Sequence, residues 1–411
     1  MEIIKQLGEE VENRWKAENY DEDKLPEIAA NALRNARAHE HITAWEVAEW
    51  SVRQTELPPQ RDLPGRFGDP PITIYSAPRF HIDVYFWFEG TTSIHQHSFC
   101  GAFQVLLGSS IHSWYEFEPD RRFNMFLETG EMKLKVCQLL ELGDVQEIWP
   151  GRQYIHSLFH LDQPSATLII RTDRSPLDQP QYNYHKPGLA IDPFFEQPTT
   201  IKQSQVLAAF IRAGREDADA LIREYLTGAD LQTTFNLLLH LRGFLRTDRI
   251  GSYFLPEEKS KRFNSMLDAV EERHGNAAGM LRKVFAHYDV VDEILVRRGY
   301  VTQPELRFFL ALLMNLDGRE SIFSLIRQRF PDTDPIEKVL DWTFDLAQTR
   351  IFGVEGANAV GIADFGDREI DVLEEMLRGR PDAEIVAENA ENAAAVNKIR
   401  GSAIFRPLMN P

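Results

Sequence analysis

Along the first fifty residues apolar side chains return every three or four positions, with Ile3, Ile4, Leu7, Val11 and Trp15 on one stripe. That spacing predicts an amphipathic helix, since one turn takes 3.6 residues. A second helix is predicted over residues 25–39, led by Pro26, with Ala29, Leu33 and Ala36 on its inner side. Residues 57–71 then gather Pro58, Pro59, Pro64, Gly65, Gly68, Pro70 and Pro71, the composition of a linker. From about residue 72 to 172 the period changes to two. Phe80, Ile82, Val84, Phe86 and Phe88 alternate with His81, Asp83, Tyr85 and Trp87, and Met132, Leu134 and Val136 alternate with Lys133 and Lys135. Further short strands fit residues 102–107, 111–117, 146–149, 154–160 and 167–171, many of them separated by Gly or Pro. Several short strands at this spacing predict an antiparallel sandwich or barrel.

Residues 176–200 are Pro-rich and read as a covering loop. Beyond them the helical period returns, with helices expected over 203–213, 217–225, 231–245, 276–287, 304–316, 320–330, 336–346, 367–377 and 383–398. No internal repeat links them. The fold class expected is therefore α+β in three parts: a helical lead-in over 1–71, a β domain over 72–200 and a separate all-α domain over 201–411. The length of 411 residues suits two or three domains.

Composition narrows the partners. The net charge is −18, and residues 1–200 hold 18 basic against 30 acidic residues. Neither half has the positive field that binding a phosphate backbone or an anionic membrane requires, so neither nucleic acid nor membrane is expected as a partner. Cys100 and Cys137 are the only cysteines, too few for a disulfide framework, and the polar start is unlike a secretory signal. A cytoplasmic location is expected.

The chemistry concentrates in one place. His95-Gln96-His97 sits on a predicted strand, where residues two apart share a face, so two imidazoles can meet one ion. A third, His156, follows Pro150-Gly151. Neutral imidazole is a common ligand of first-row transition metals, and three on a rigid sheet leave coordination positions open. A His-x-His pair alone is also a common surface or core pair; the downstream Pro-Gly and His shift the balance toward metal.

Both parts, in this order, resemble the two signature motifs of the cupin superfamily. The match departs from that pattern in two places. Four residues rather than five separate Gly90 from His95, and Gly101 stands where the acidic ligand is usual. A three-His set without the carboxylate resembles the cysteine dioxygenase (thiol dioxygenase) family. The stretch from Arg79 through Trp87 to Ser93-Ile94-His95-Gln96-His97, and Tyr154-Ile155-His156-Ser157-Leu158 followed by Gln163-Pro164, carry that likeness over about residues 72–175. The resemblance implies a cupin-type double-stranded β-helix in which His95, His97 and His156 bind Fe(II). It further implies that O2 and a thiol-bearing substrate fill the open positions and that the thiol becomes a sulfinic acid.

Other residues are placed around that set. The family's Ser-His-Tyr trio falls on Thr167, Ile169 and Arg171 here, so its His and Tyr are missing. Arg171 then either faces inward, where it could clamp a substrate carboxylate or phosphate, or is an exposed strand-end charge. His160 shares the parity of His156 and is either a proton donor near the site or a buried structural histidine. His112 has the same two readings. Tyr85, Trp87 and Tyr154 either line the pocket or are plain core. Arg79 is the nearest upstream candidate for a carboxylate clamp, or a strand-edge charge, and Cys100 is expected to point away from the metal.

The function expected is a mononuclear non-haem iron dioxygenase oxidising a small anionic thiol or amino-acid-like substrate, with Arg171, His160 and Tyr154 as catalytic candidates. Two readings compete with it: another metal-dependent cupin enzyme, an isomerase or C–C-cleaving dioxygenase, and a metal-binding scaffold whose helical part binds a partner. Three histidines also accept Ni, Mn, Zn or Cu. The helical part could serve a homodimer or a protein partner.

Overall fold

In the computed structural model, which describes residues 1–63, 65, 67–88, 91–175, 180–194, 197–246, 257–351, 358–362, 364–402 and 404–410, the N-terminal segment forms three α-helices. These are α1 (Glu2–Ala17), α2 (Leu25–Ala36) and α3 (Ala44–Arg53). Thr43 starts α3 with a capping box: its hydroxyl accepts from the Glu46 amide at 3.1 Å, and the Glu46 carboxylate accepts from the Thr43 amide at 2.7 Å. Both otherwise unpaired N–H groups are thereby satisfied.

Eleven strands follow among the described residues: β1 (Pro71–Ser76), β2 (His81–Trp87), β3 (Ile94–His97), β4 (Gly101–Leu107), β5 (Ser110–Asn124), β6 (Leu127–Leu140), β7 (Val145–Ile148), β8 (Gly151–His160), β9 (Ser165–Arg171), β10 (Asn183–His185) and β11 (Leu189–Ile191). They make two sheets. One is open, in the order β1-β2-β9-β4-β7; the other is a closed six-stranded barrel, β10-β11-β6-β5-β8-β3. All the pairings described within the two sheets are antiparallel.

The open sheet is buried on both faces. In the β2–β9 pair Ile82 lies opposite Ile170, Val84 opposite Leu168 and Phe86 opposite Ala166. These residues share one core with Leu7, Val11, Trp15 and Leu33 of the N-terminal helices. On the other face Phe103, Val105 and Ile169 join Leu140, Ile148, Tyr154 and Leu158 in a second core. This double burial explains why β9 carries the run Leu168-Ile169-Ile170 rather than a strict alternation. Each large apolar side chain so buried contributes roughly 1.5–3 kcal/mol.

The rest of the described chain is helical: α4 (Pro198–Arg212), α5 (Ala218–Gly228), α6 (Leu231–Arg246), α7 (Glu257–His274), α8 (Asn276–Tyr300), α9 (Pro304–Asn315), α10 (Arg319–Arg329), α11 (Pro335–Gln348), α12 (Asp367–Leu377), α13 (Asp382–Glu388), α14 (Asn392–Gly401) and α15 (Arg406–Met409). The α+β class expected from the sequence is the one observed. None of the helices is long and apolar enough to cross a membrane, among the described residues.

Several local expectations need correction. The stretch read as a covering loop holds β10 and β11, which complete the barrel, and its last residues begin α4. Within it, residues 176–179 and 195–196 lie outside the described residues, as does Gly90, on which the expected motif begins. β5 and β6 run well past the predicted ends, α7 was not expected, and the single helix read over 383–398 is two, α13 and α14.

The chain forms two compact units. One comprises Met1–Phe117, Lys133–Asn183 and Thr302–Asn315; the other comprises Glu118–Met132, Tyr184–Val301 and Leu316–Pro411. Helix α9 therefore belongs with the three-His strands. The Asn315 side-chain oxygen accepts from the Ser113 hydroxyl at 3.0 Å and the Tyr115 hydroxyl at 3.3 Å, and Arg307 donates to Gln163 at 2.9 Å.

Candidate metal centre

Residues two apart on β3 and the middle of β8 converge inside the first unit. His95 pairs directly with His156 across the β3–β8 ladder, and the register shifts between His95 and His97. All three side chains are buried, and one ring nitrogen from each lies within 4.8 Å of the others. The Nε2 atoms of His97 and His156 are 2.9 Å apart. Two nitrogens bound to one first-row ion at about 2.1 Å and roughly a right angle would be separated by about 3 Å, so this spacing suits a shared cation.

The remaining ring atoms decide which nitrogens are available. His95 Nδ1 lies 2.7 Å from the Ser93 carbonyl oxygen. A carbonyl only accepts, so Nδ1 carries the proton and the Nε2 lone pair is available for an ion. His156 Nδ1 lies 3.2 Å from His112 Nε2, and the other His112 nitrogen is 3.3 Å from the Gln138 side-chain amide. The Gln138 amide N–H donates to His112 Nδ1, so neutral His112 carries its proton on Nε2, the atom that faces His156 Nδ1. His97 Nδ1 is buried with no hydrogen-bond partner among the described residues. Burial pushes the basicity of all three rings down, furthest for His97 and His156, where the neighbouring histidines add to the effect. His112 is pushed down to about 4 by burial. Neutral imidazoles are the form that ligates a metal.

The strands leave no space for a carboxylate at position 101. A Cβ at Gly101 would lie 1.9 Å from the Ile170 carbonyl oxygen and 2.9 Å from the Arg171 Cα. β4 and β9 approach too closely at this point for any side chain, so the donor set is three neutral nitrogens. The residues present fit a divalent transition metal.

The other candidates divide. The ring of Tyr154 lies 4.4 Å from that of His156, and its hydroxyl is 3.1 Å from His112 Nε2. Arg171 is half-buried: its guanidinium carbon sits 3.4 Å from the centre of the Phe99 ring, which in turn lies 4.3 Å from His97. It also donates to the Tyr85 hydroxyl at 3.3 Å. His160 is four residues along β8 from His156, 2.7 Å from the Ser165 hydroxyl and stacked on Trp87 at 4.9 Å. Trp87 in turn donates to Thr167 at 3.2 Å. Arg79 is exposed and lies over Tyr20, so it is not brought to the histidines. Cys100 points into the core shared with the N-terminal helices, as expected.

Phe99, Gln138 and the Ser93 carbonyl were not singled out from the sequence. Nor were His81 and Asp83, although they alternate with residues that had been assigned to an apolar face. No family model matches the chain, and no curated protein matches its sequence.

Proposed function

We propose that the protein is a mononuclear non-haem iron enzyme of the cupin superfamily, similar to the cysteine dioxygenases, acting with O2 on a small anionic thiol or amino-acid-like substrate. The observation that carries this reading is the convergence of His95, His97 and His156, buried and held neutral inside a β-barrel. Ferrous iron in this site would supply the means of bringing dioxygen and a substrate donor atom together on one centre.

The chain's own residues have definable tasks around it. Ser93 would hold the proton on His95 Nδ1, which aims Nε2 inward, and His112 would fix the orientation of the His156 ring through its Nδ1. Phe99, Tyr154 and Leu158 exclude water from that side. Arg171, held by its Nε on the Thr172 carbonyl and by one arm on the Tyr85 hydroxyl, would orient an anionic group with its remaining N–H donors. Tyr154, whose hydroxyl lies 3.1 Å from His112 Nε2, would help orient that ring. His160, in contact with Ser165 and Trp87, is better suited to positioning Trp87. A cytoplasmic location fits this reading.

The test is metal analysis of the protein as isolated, followed by oxygen-electrode assays on thiols and amino acids. About one iron per chain and thiol-dependent oxygen uptake yielding a sulfinic acid are expected, with both lost in His97→Ala and His156→Ala. A cleaved carbon skeleton would instead support a C–C-cleaving dioxygenase, and metal-free protein without oxygen uptake would refute the proposal.

A further inference from the structure

The strand that faces the three histidines from the opposite sheet carries a second buried polar row. On β2 the positions His81, Asp83 and Tyr85 share one face, and Asp83 lies opposite Ile169, which packs in the same core as Tyr154 and Leu158 of β8. His81 Nε2 lies 3.2 Å from Asp83 Oδ2, and the Tyr85 hydroxyl donates to the same oxygen at 3.2 Å. Arg171 closes the row through Tyr85. Asp83 is 2 % exposed, yet its Oδ1 has no hydrogen-bond partner among the described residues. A buried carboxylate oxygen left without a donor is costly, so its presence calls for a ligand that brings one.

Two contacts fix what this row faces. At one end Trp87 of β2 stacks on His160 of β8. At the other, Arg171, paired with His81 across the β2–β9 ladder, lies on Phe99, which lies on His97. Asp83 and Tyr85 fall between these points, across the interior from the part of β8 that bears His156. A cation donor and an anion acceptor are thus set side by side against the histidine group.

We propose that Asp83 and Arg171 form a subsite for a zwitterion, in which the guanidinium takes a substrate carboxylate and Asp83 Oδ1 takes its ammonium group. The inference rests on the reading of the histidine site as one acting on an amino-acid-like molecule, and narrows that molecule to one bearing an amine as well as an acid. Selection by charge pairing inside a buried site is strong because an unmatched partner leaves a charged group without a donor.

The experiment compares two probes that differ only in the amine, L-cysteine and 3-mercaptopropionate, titrated anaerobically into metal-free and Fe(II)-loaded protein by calorimetry. The wild type is expected to bind cysteine at least tenfold more tightly. Asp83→Asn should weaken cysteine by about tenfold or more and change 3-mercaptopropionate less than twofold, and Asp83→Glu should recover part of the loss. Equal affinity for the two probes in the wild type, which needs no variant to fold, overturns the proposal, as does equal weakening of both by Asp83→Asn or binding of neither. Should iron fail to bind while the metal-free protein still discriminates by the amine, the metal reading fails and the subsite stands.

Discussion

A Cβ on Gly101 would stand 1.9 Å from the carbonyl oxygen of Ile170. The position that holds an acidic metal ligand in the cupin pattern is therefore closed by backbone. The expected outcome of Gly101→Glu is loss of fold stability of at least about 3 kcal/mol, because β4 and β9 must separate to admit any side chain. Thermal melts of the metal-free variant check this. A variant that melts like the wild type and gains metal affinity would show that the strands yield there.

Metal binding should stabilise the protein by mass action. A divalent ion present at about a hundred times its dissociation constant adds about 2.7 kcal/mol, so adding Fe(II) anaerobically, or Co(II) as a stable stand-in, should raise the melting temperature, and a chelator should reverse the rise. His97→Ala should abolish the metal-dependent part of the shift. A rise of equal size in His97→Ala would place the ion elsewhere.

His112 acts through His156 and can be tested as a positioning residue. Replacing it with Phe removes the partner of His156 Nδ1, which lies 3.2 Å away. Loss of such a partner lowers metal affinity by about tenfold to a hundredfold. Competition with a chromogenic chelator reads this directly, and His112→Gln, which keeps a side chain able to hydrogen-bond His156, should recover part of the affinity. Unchanged affinity in His112→Phe would assign His112 a packing role only.

Much of the site was legible because its information is local. His95 and His97 declare a shared face by their spacing, and the inward parity of Thr167, Ile169 and Arg171 follows from the period of two. Parity does not single out Asp83, because alternation gives the strand one apolar face in Ile82, Val84 and Phe86, and only the second core on the other side of the sheet, with Ile169, Tyr154 and Leu158, shows that the polar face is buried too. The signal was available: a strand with two buried faces cannot spare His81 and Asp83 to solvent. The strands β10 and β11, three residues each in a Pro-rich stretch, are too short to show a period. That β5 meets a helix some two hundred residues later, through Ser113 and Asn315, is a long-range pairing that no local pattern encodes.

Acid should weaken the second unit through His185 and His287. Burial pushes both down to about 4; His287 and Lys186 add repulsion to His185 and His287 respectively, while Asp317 acts the other way on His287. His185 is held neutral against the Tyr288 hydroxyl at 2.8 Å. The unfolded chain takes up these protons near the ordinary histidine value of about 6.5, whereas the folded chain does not until about pH 4. Stability from these groups is thus complete above pH 6.5 and falls as pH drops through that window. Urea midpoints measured across it should decline in the wild type and decline less steeply in His185→Gln. Parallel slopes would assign the acid sensitivity to other groups.

The β5–β8 face that carries Ser113 and Tyr115 depends on a helix far away in sequence. The Asn315 side-chain oxygen accepts from both hydroxyls, and every residue of α9 from Leu306 to Leu313 is buried. Asn315→Ala leaves two buried hydroxyls without their acceptor, a loss of roughly 2–4 kcal/mol in total if each costs about 1–2. Asn315→Asp, which keeps the acceptor oxygen, should lose less. Removing the helix altogether is a larger insult, since it uncovers one face of the strands that hold the histidines. A fragment ending at residue 200 contains all three metal-ligand candidates but not α9, and is expected to aggregate or to bind dyes that report exposed apolar surface. Recovery of a soluble fragment with a sharp thermal transition would show that the three-His strands fold without α9, and that Asn315 contributes hydrogen bonds to a surface already stable on its own.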